Sequence, residues 1–256
     1  MSLLQVSNLH KSFSGVKAIS DINLSINTGE IVGVIGPNGA GKTTFFNLLT
    51  GIYTPSSGEI TYNLDKKITS KDFKPYKMPK YGIARTFQNI RLFKNMTVFD
   101  NVLIGYHNNL SYGVLPALFR FPSFYKNEDQ ARKEALELLK VFNLYEKKDD
   151  LASNLPYGEQ RKLEIARALA TKPKLLLLDE PAAGMNPQET NELTKLITWI
   201  REQFDLTIIL IEHDMSLVMS ICDEIFVFDY GNLIASGVPS EVQNNPRVIK
   251  AYLGGE

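Results

Sequence analysis

Nine consecutive residues hold the most pointed chemistry in this chain: Gly36, Pro37, Asn38, Gly39, Ala40, Gly41, Lys42, Thr43 and Thr44. Their spacing is G-x-x-x-x-G-K-[ST], a pattern suited to polyphosphate. Glycines let the backbone take positive φ and bring N–H groups against phosphate oxygens. A helix starting at Lys42 adds N-terminal donors and partial positive charge. Lys42 would bridge the β- and γ-phosphates, and the Thr43 hydroxyl would reach Mg²⁺. The loop thus predicts a site for a nucleoside triphosphate with its metal.

Two further groups fit that chemistry. Leu175-Leu-Leu-Leu178-Asp179-Glu180 puts two acids where an apolar strand ends. In open α/β sheets ligands sit at that edge. Successive strand residues face opposite sides, which predicts separate jobs. Asp179 suits Mg²⁺, directly or through water, and Glu180 suits polarising an attacking water. His213 ends another apolar strand, in Ile211-Glu-His-Asp-Met215, whereas His10 and His107 read as structural or surface residues.

The elements that must carry these residues follow from periodicity. Leu3–Leu9 and Ile22–Ile26 alternate apolar and polar residues, as half-buried strands do. Ile31–Ile35 is wholly apolar, as in a buried parallel strand, and Lys42–Leu49 reads as a helix stopped by Gly51. Gly58–Asn63 is a further strand, and the lysine-rich Asp65–Lys80 reads as a solvated loop with a short helix. Asn127–Phe142 is predicted as an amphipathic helix capped by Asn127. Helices are expected over Glu159–Ala170, Gln188–Gln203, Met215–Ile221 and in Pro239–Leu253. Strands are expected over Leu175–Leu178, Thr207–Ile211, Ile225–Asp229 and Leu233–Ser236, the last two joined by a hairpin turn at Tyr230-Gly231-Asn232. Buried strands alternating with helices argue for an α/β core.

Composition narrows the class. The 256 residues are 44% hydrophobic, with 28 basic and 28 acidic side chains. A zero formal charge is not the footprint of nucleic-acid binding. One cysteine, Cys222, excludes an internal disulfide and fits a reducing compartment. No signal peptide is expected, because Met1–Val6 opens without a basic and a long apolar region, and no membrane span, because the best candidate, Val114–Phe124, is short and broken by prolines and Arg120. Any link to a membrane must come through a partner.

In order along the chain these residues resemble the ABC ATPase family. GPNGAGKTT (36–44) resembles its Walker A, and Arg85-Thr-Phe-Gln88 its Q-loop. Leu155, Pro156, Tyr157, Gly158 and Glu159 stand where the LSGGQ signature stands. LLLLDEP (175–181) resembles Walker B, Ala183–Pro187 the D-loop, and His213 the switch histidine. Phe13 matches the aromatic that stacks on adenine, with Val16 counted among the nucleotide contacts. The resemblance implies an α/β fold: a RecA-like P-loop ATPase core (1–87 and 156–256) with an N-terminal antiparallel β subdomain and an inserted α-helical subdomain (88–155). It implies ATP and Mg²⁺ as ligands, Glu180, His213 and Gln88 as catalytic residues, and Thr43, Gln88 and Asp179 around the metal. It also implies two such subunits, identical or different, sandwiching two ATP molecules between one subunit's Walker A and the other's signature. Integral membrane permease subunits and, indirectly, a solute-binding protein outside the cell complete the expected assembly, with no nucleic acid.

Two departures stand out. The signature serine is Pro156, so Gly158 and the helix after it are expected to supply the γ-phosphate contact by backbone donors. The D-loop aspartate is Asn186, which keeps a hydrogen-bonding amide. The segments 85–102, 155–169, 178–187, 211–219 and 244–254 resemble the ATP-binding subunit of high-affinity branched-chain amino acid importers. Urea, other amino acid and lipopolysaccharide systems are the neighbouring alternatives, and nucleic-acid-linked ABC proteins lack support because no heptad run appears. The aromatic stretch 110–125 is a candidate partner surface.

Overall fold

In a computed structural model, residues 2–107 and 122–253 are described; 110–121 of the aromatic stretch therefore lies outside them. The chain divides into two compact units, residues 1–88 with 174–256, and 89–173.

The first unit begins with β1 (Ser2–Phe13) and β2 (Val16–Asn27), antiparallel and longer than the alternation predicts. The pattern under-reads them because register shifts break the period, as between Val6 and Leu9. β3 (Ile31–Ile35) is buried throughout and feeds α1 (Lys42–Leu49) through the phosphate loop. β4 (Ser57–Asn63) and β5 (Lys67–Thr69) complete a four-stranded sheet of order β2-β1-β4-β5. The lysine-rich segment thus holds a strand as well as the expected short helix, a 3₁₀ turn over Pro75–Tyr81. β6 (Ile83–Arg85) escapes the sequence pattern because three residues show no period.

In the second unit, α2 (Val98–Tyr106) is capped by the Thr97 side chain. α3 covers Pro122–Val141. Asn127 is therefore interior to α3 and not its cap: nothing in Ser123–Lys126 breaks a helix, and Pro122 is a suitable first residue. α4 (Tyr157–Leu169) starts two residues before the expected Glu159. The unit also runs on to Pro173, where the sequence reading ended it at 155 and gave 156 onward to the core. The reason is packing, since α4 lies against α2 and α3. A Cβ at Gly105 would come within 2.5 Å of the Arg167 carbonyl oxygen, so α2 and α4 approach closely there.

The first unit resumes with β7 (Leu175–Asp179), α5 (Pro187–Gln203), β8 (Thr207–Ile211) and α6 (Met215–Ile221). β9 (Glu224–Asp229), β10 (Asn232–Gly237), α7 (Pro239–Gln243) and α8 (Pro246–Leu253) follow. The second sheet has the order β10-β9-β3-β8-β7-β6, parallel except for the β9–β10 hairpin. Both faces of its central strands are buried, which explains why Leu, Ile and Val dominate them. Cys222 sits 3.0 Å from where a Gly33 side chain would begin, and burial pushes its thiol up to about 12. It is an inert core residue. No described helix is long and apolar enough to cross a membrane.

Candidate functional site

Because β3, β6, β7 and β8 run parallel, their carboxyl ends share one edge. β3 delivers the phosphate loop there. β7 delivers Asp179 and Glu180, β8 delivers Glu212 and His213, and β6 delivers Arg85 to Gln88. A cavity of about 460 Å³ opens at this edge. It is lined by Asn38 to Thr44 together with Val16, Gln88, Glu180 and His213, so residues far apart in the chain meet.

The loop geometry fits polyphosphate. Gly36 has φ 147°, and a Cβ there would strike the Phe228 carbonyl oxygen at 2.0 Å. Gly41, at φ 102°, begins α1 and would likewise meet the Ala18 oxygen at 2.7 Å. Lys42 is 6% exposed, and its ammonium donates to the Gly36 and Pro37 carbonyls at 2.6 and 2.9 Å. Burial lowers its pKa, while Glu180 and Asp179 act to raise it. A phosphate would restore the missing countercharge. Among the described residues no cluster of three His, Cys, Asp or Glu side chains could hold a metal alone.

Glu180 is the focus of the polar contacts. Gln88 Nε2 donates to its Oε2 at 2.9 Å, and His213 Nε2 lies 2.9 Å from its Oε1. Its backbone φ of 49° is left-handed, rare for a residue with a side chain. Its N–H donates to Ile211 O at 2.9 Å, which anchors this turn to the end of β8. The turn separates it from Asp179, which stays in the sheet, 3% exposed, with Oδ2 accepting from Arg85 Nη2 at 2.7 Å. Arg85 also donates to Asn47 at 2.8 Å and stacks between Phe46 and Phe87. Asp179 does not line the cavity.

Three contributions were not read from the sequence. Arg85 appeared only as part of a motif, yet it joins α1, β6 and β7. Glu212 is 3% exposed and accepts backbone N–H groups from Ala182 at 2.7 Å and His213 at 3.0 Å, tying the loop after β7 to the loop after β8. Burial raises its pKa against the opposing effect of those bonds. Tyr230 and Lys17 also line the cavity, and the turn holding Tyr230 is fixed by Gly231 N–H to Ala40 O at 3.0 Å. A glycine after an exposed aromatic was the one available signal. Phe13 stands edge-on to Tyr53 at 5.0 Å between ring centres and does not line the cavity, whereas Val16 does.

The signature residues lie in the second unit. Leu155 is buried, Pro156 is the N-cap of α4, and Tyr157, Gly158 and Glu159 form its first turn. The first bond within the helix runs from Gln160 N–H to Pro156 O at 2.9 Å, so the N–H groups of Tyr157 to Glu159 are donors with no partner inside the helix. Glu159 pairs with Lys147 at 2.6 Å, and Arg161 with Glu164 at 2.8 Å. Asn186 caps α5: its Oδ1 accepts from Glu189 N–H and Glu189 returns the bond, both at 3.0 Å. The cap uses one lone pair of Oδ1 and leaves the side-chain NH₂ unused.

A parallel sheet with a phosphate loop, paired acids and a histidine along one edge defines an ATP-binding cassette. The sequence model of the ABC transporter family matches residues 19–183, and that of the branched-chain amino acid ATP-binding cassette transporter matches 232–256. The chain belongs to the ABC transporter family as an ATP-binding, ATPase subunit, in the branch of branched-chain amino acid cassettes. It is 46% identical over 252 residues, 98% of both chains, to the high-affinity branched-chain amino acid transport ATP-binding protein BraF of Pseudomonas aeruginosa. LivG of Escherichia coli, of the same description, matches with the same identity and coverage. A crystal structure of an ABC transporter cassette in its ADP conformation superposes with TM-score 0.84 at 32% identity, covering all of both chains.

Proposed function

We propose that this chain hydrolyses MgATP to drive import of leucine, isoleucine and valine through separate membrane permease subunits, fed by an external solute-binding protein. It would work on the cytoplasmic face of the membrane as one of a pair of cassettes. The observation that carries the hydrolytic reading is the meeting of Gln88, His213 and Glu180 beside the phosphate loop. The full-length likeness to BraF and LivG supports the substrate class.

The chemistry follows from the side chains. Lys42 exchanges its two carbonyl acceptors for phosphate oxygens. Each Glu180 oxygen has one contact and a second lone pair, so a water can be held without breaking either bond. That water attacks the γ-phosphorus as its proton passes to Glu180. A new P–O bond forms, the bond to the β-phosphate oxygen breaks, and the oxygen leaves with ADP. Thr43, Gln88 and Asp179 would hold Mg²⁺, which when bound neutralises charge gathering on the phosphates. Gly158 and the first turn of α4 would offer N–H donors to the nucleotide of a second subunit, without help from Pro156.

Glu180→Gln tests the base. It should keep ATP binding, trap a closed dimer on ATP and lose at least about 10²-fold in turnover, or roughly 2.7 kcal/mol of barrier. Near-normal turnover would refute the role. Uptake of labelled leucine by vesicles holding the cassette, its permease and binding protein tests the substrate; ATP-dependent uptake of urea alone would refute it.

A further inference from the structure

A basic surface stands in the first unit with no part in hydrolysis. Asp65–Lys80 carries Lys66, Lys67, Lys71, Lys74, Lys77 and Lys80 against two acids, an excess of four positive charges in a chain of zero net charge. All six lysines are exposed. Among the described residues none has an ion-pair or side-chain hydrogen-bond partner. The two acids are turned to other uses: Asp65 pairs with Lys174, and Asp72 accepts from Thr69 at 3.3 Å.

The charges are held on a fixed frame. Ile68, Phe73 and Met78 are buried at 6%, 6% and 3% exposure and anchor the segment. Over Pro75–Tyr81 the chain is a 3₁₀ helix, in which residues three apart eclipse. Lys77 and Lys80 therefore lie in one row, continued by Lys74 at the N-cap. Tyr76, 73% exposed, stands beside that row. Five of the lysines border a cleft of about 530 Å³. Like charges kept this close repel one another unless an anionic surface meets them.

We propose that this face docks on an anionic phospholipid bilayer, with the lysine row on headgroup phosphates and Tyr76 in the interfacial layer. Lysines near such a surface are attracted individually, and tyrosine favours the same depth. Tyrosine suits protein interfaces as well, but six exposed lysines around one face match the uniformly anionic plane of a bilayer better than the mixed charges of a protein surface. The contact extends the membrane-side reading given above, but its test needs no permease and fails or succeeds apart from it.

The experiment is co-sedimentation of the full chain with vesicles of phosphatidylcholine, alone or mixed equally with phosphatidylglycerol. Binding is expected to the anionic vesicles only and to fall as salt rises. The triple variant Lys74→Gln, Lys77→Gln, Lys80→Gln should bind about 10²-fold more weakly, near 5-fold per lysine. Tyr76→Ser should weaken binding further. Both variants should keep wild-type ATPase activity, which verifies folding. Equal binding to neutral vesicles, or equal binding by the triple variant, would overturn the proposal. So would full displacement by inorganic phosphate at constant ionic strength, which would mark a free-anion site. Loss of permease association by the triple variant with vesicle binding unchanged would assign the surface to an acidic protein instead.

Discussion

Replacing Arg85 with methionine is expected to cost about 3–5 kcal/mol of stability, the usual result of orphaning one half of a buried ion pair. Arg85 and Asp179 side chains are 7% and 5% exposed, and their contact is 2.7 Å. Methionine would keep much of the packing between Phe46 and Phe87 but would leave the Asp179 carboxylate buried without countercharge. At roughly 2–4 °C per kcal/mol for a chain of this size, the loss corresponds to about 6–20 °C in Tm. Calorimetry of wild type, Arg85→Met, Asp179→Asn and the double variant completes the test. If the charges work as a unit, the double variant should lose at least about 2 kcal/mol less than the sum of the singles. Additive losses, or a cost below about 1 kcal/mol for Arg85→Met, would refute the argument.

Other outcomes follow from the same geometry. Lys42→Ala should weaken ATP binding in calorimetry, because the ammonium prepared by Gly36 and Pro37 is gone. Pro156→Ser should change turnover by less than about 5-fold, the worth of one ordinary hydrogen bond, because the donors of Tyr157 to Glu159 are already placed; a large gain would show the hydroxyl is needed. Glu212→Gln tests linkage. The raised pKa of Glu212 means the native state keeps a proton that the unfolded chain has lost. Its contribution is therefore full at low pH and declines as pH rises from 4.5 through the raised value. Urea titrations across that window should show the wild-type advantage over Glu212→Gln shrinking with pH, and a constant difference would contradict it.

The phosphate loop was legible because its chemistry is contiguous: glycines, lysine and threonine do their work within nine residues. Glu180 and His213 drew notice in the sequence because each stands two residues past an apolar run. Arg85 was not, because its partner lies 94 residues away and no local pattern announces such a pairing. Nor was the role of Tyr230, which depends on a hairpin docking against Ala40. The expected cap at Asn127 failed for the opposite reason: a favourable local signal was overridden by a helix already under way from Pro122. The helical block is expected to end at 155, whereas the compact unit extends to Pro173 because α4 packs on α2 and α3, a long-range contact with no local signal.

The sheet order has a consequence for how the protein is made. β3, which presents the phosphate loop, is flanked by β8 and β9, so both its neighbours come from the last quarter of the chain. Synthesis proceeds from the N-terminus, and long-range parallel pairing is intrinsically slow. Ile31–Ile35 therefore leaves the ribosome as an apolar strand with two open edges, a template for wrong pairing until residues near Gly231 arrive. A chain cut short before that hairpin would contain every residue of the phosphate loop and still lack the strand and turn that hold it. The phosphate loop is thus made before both strands that flank β3, and its pocket is completed only when they arrive.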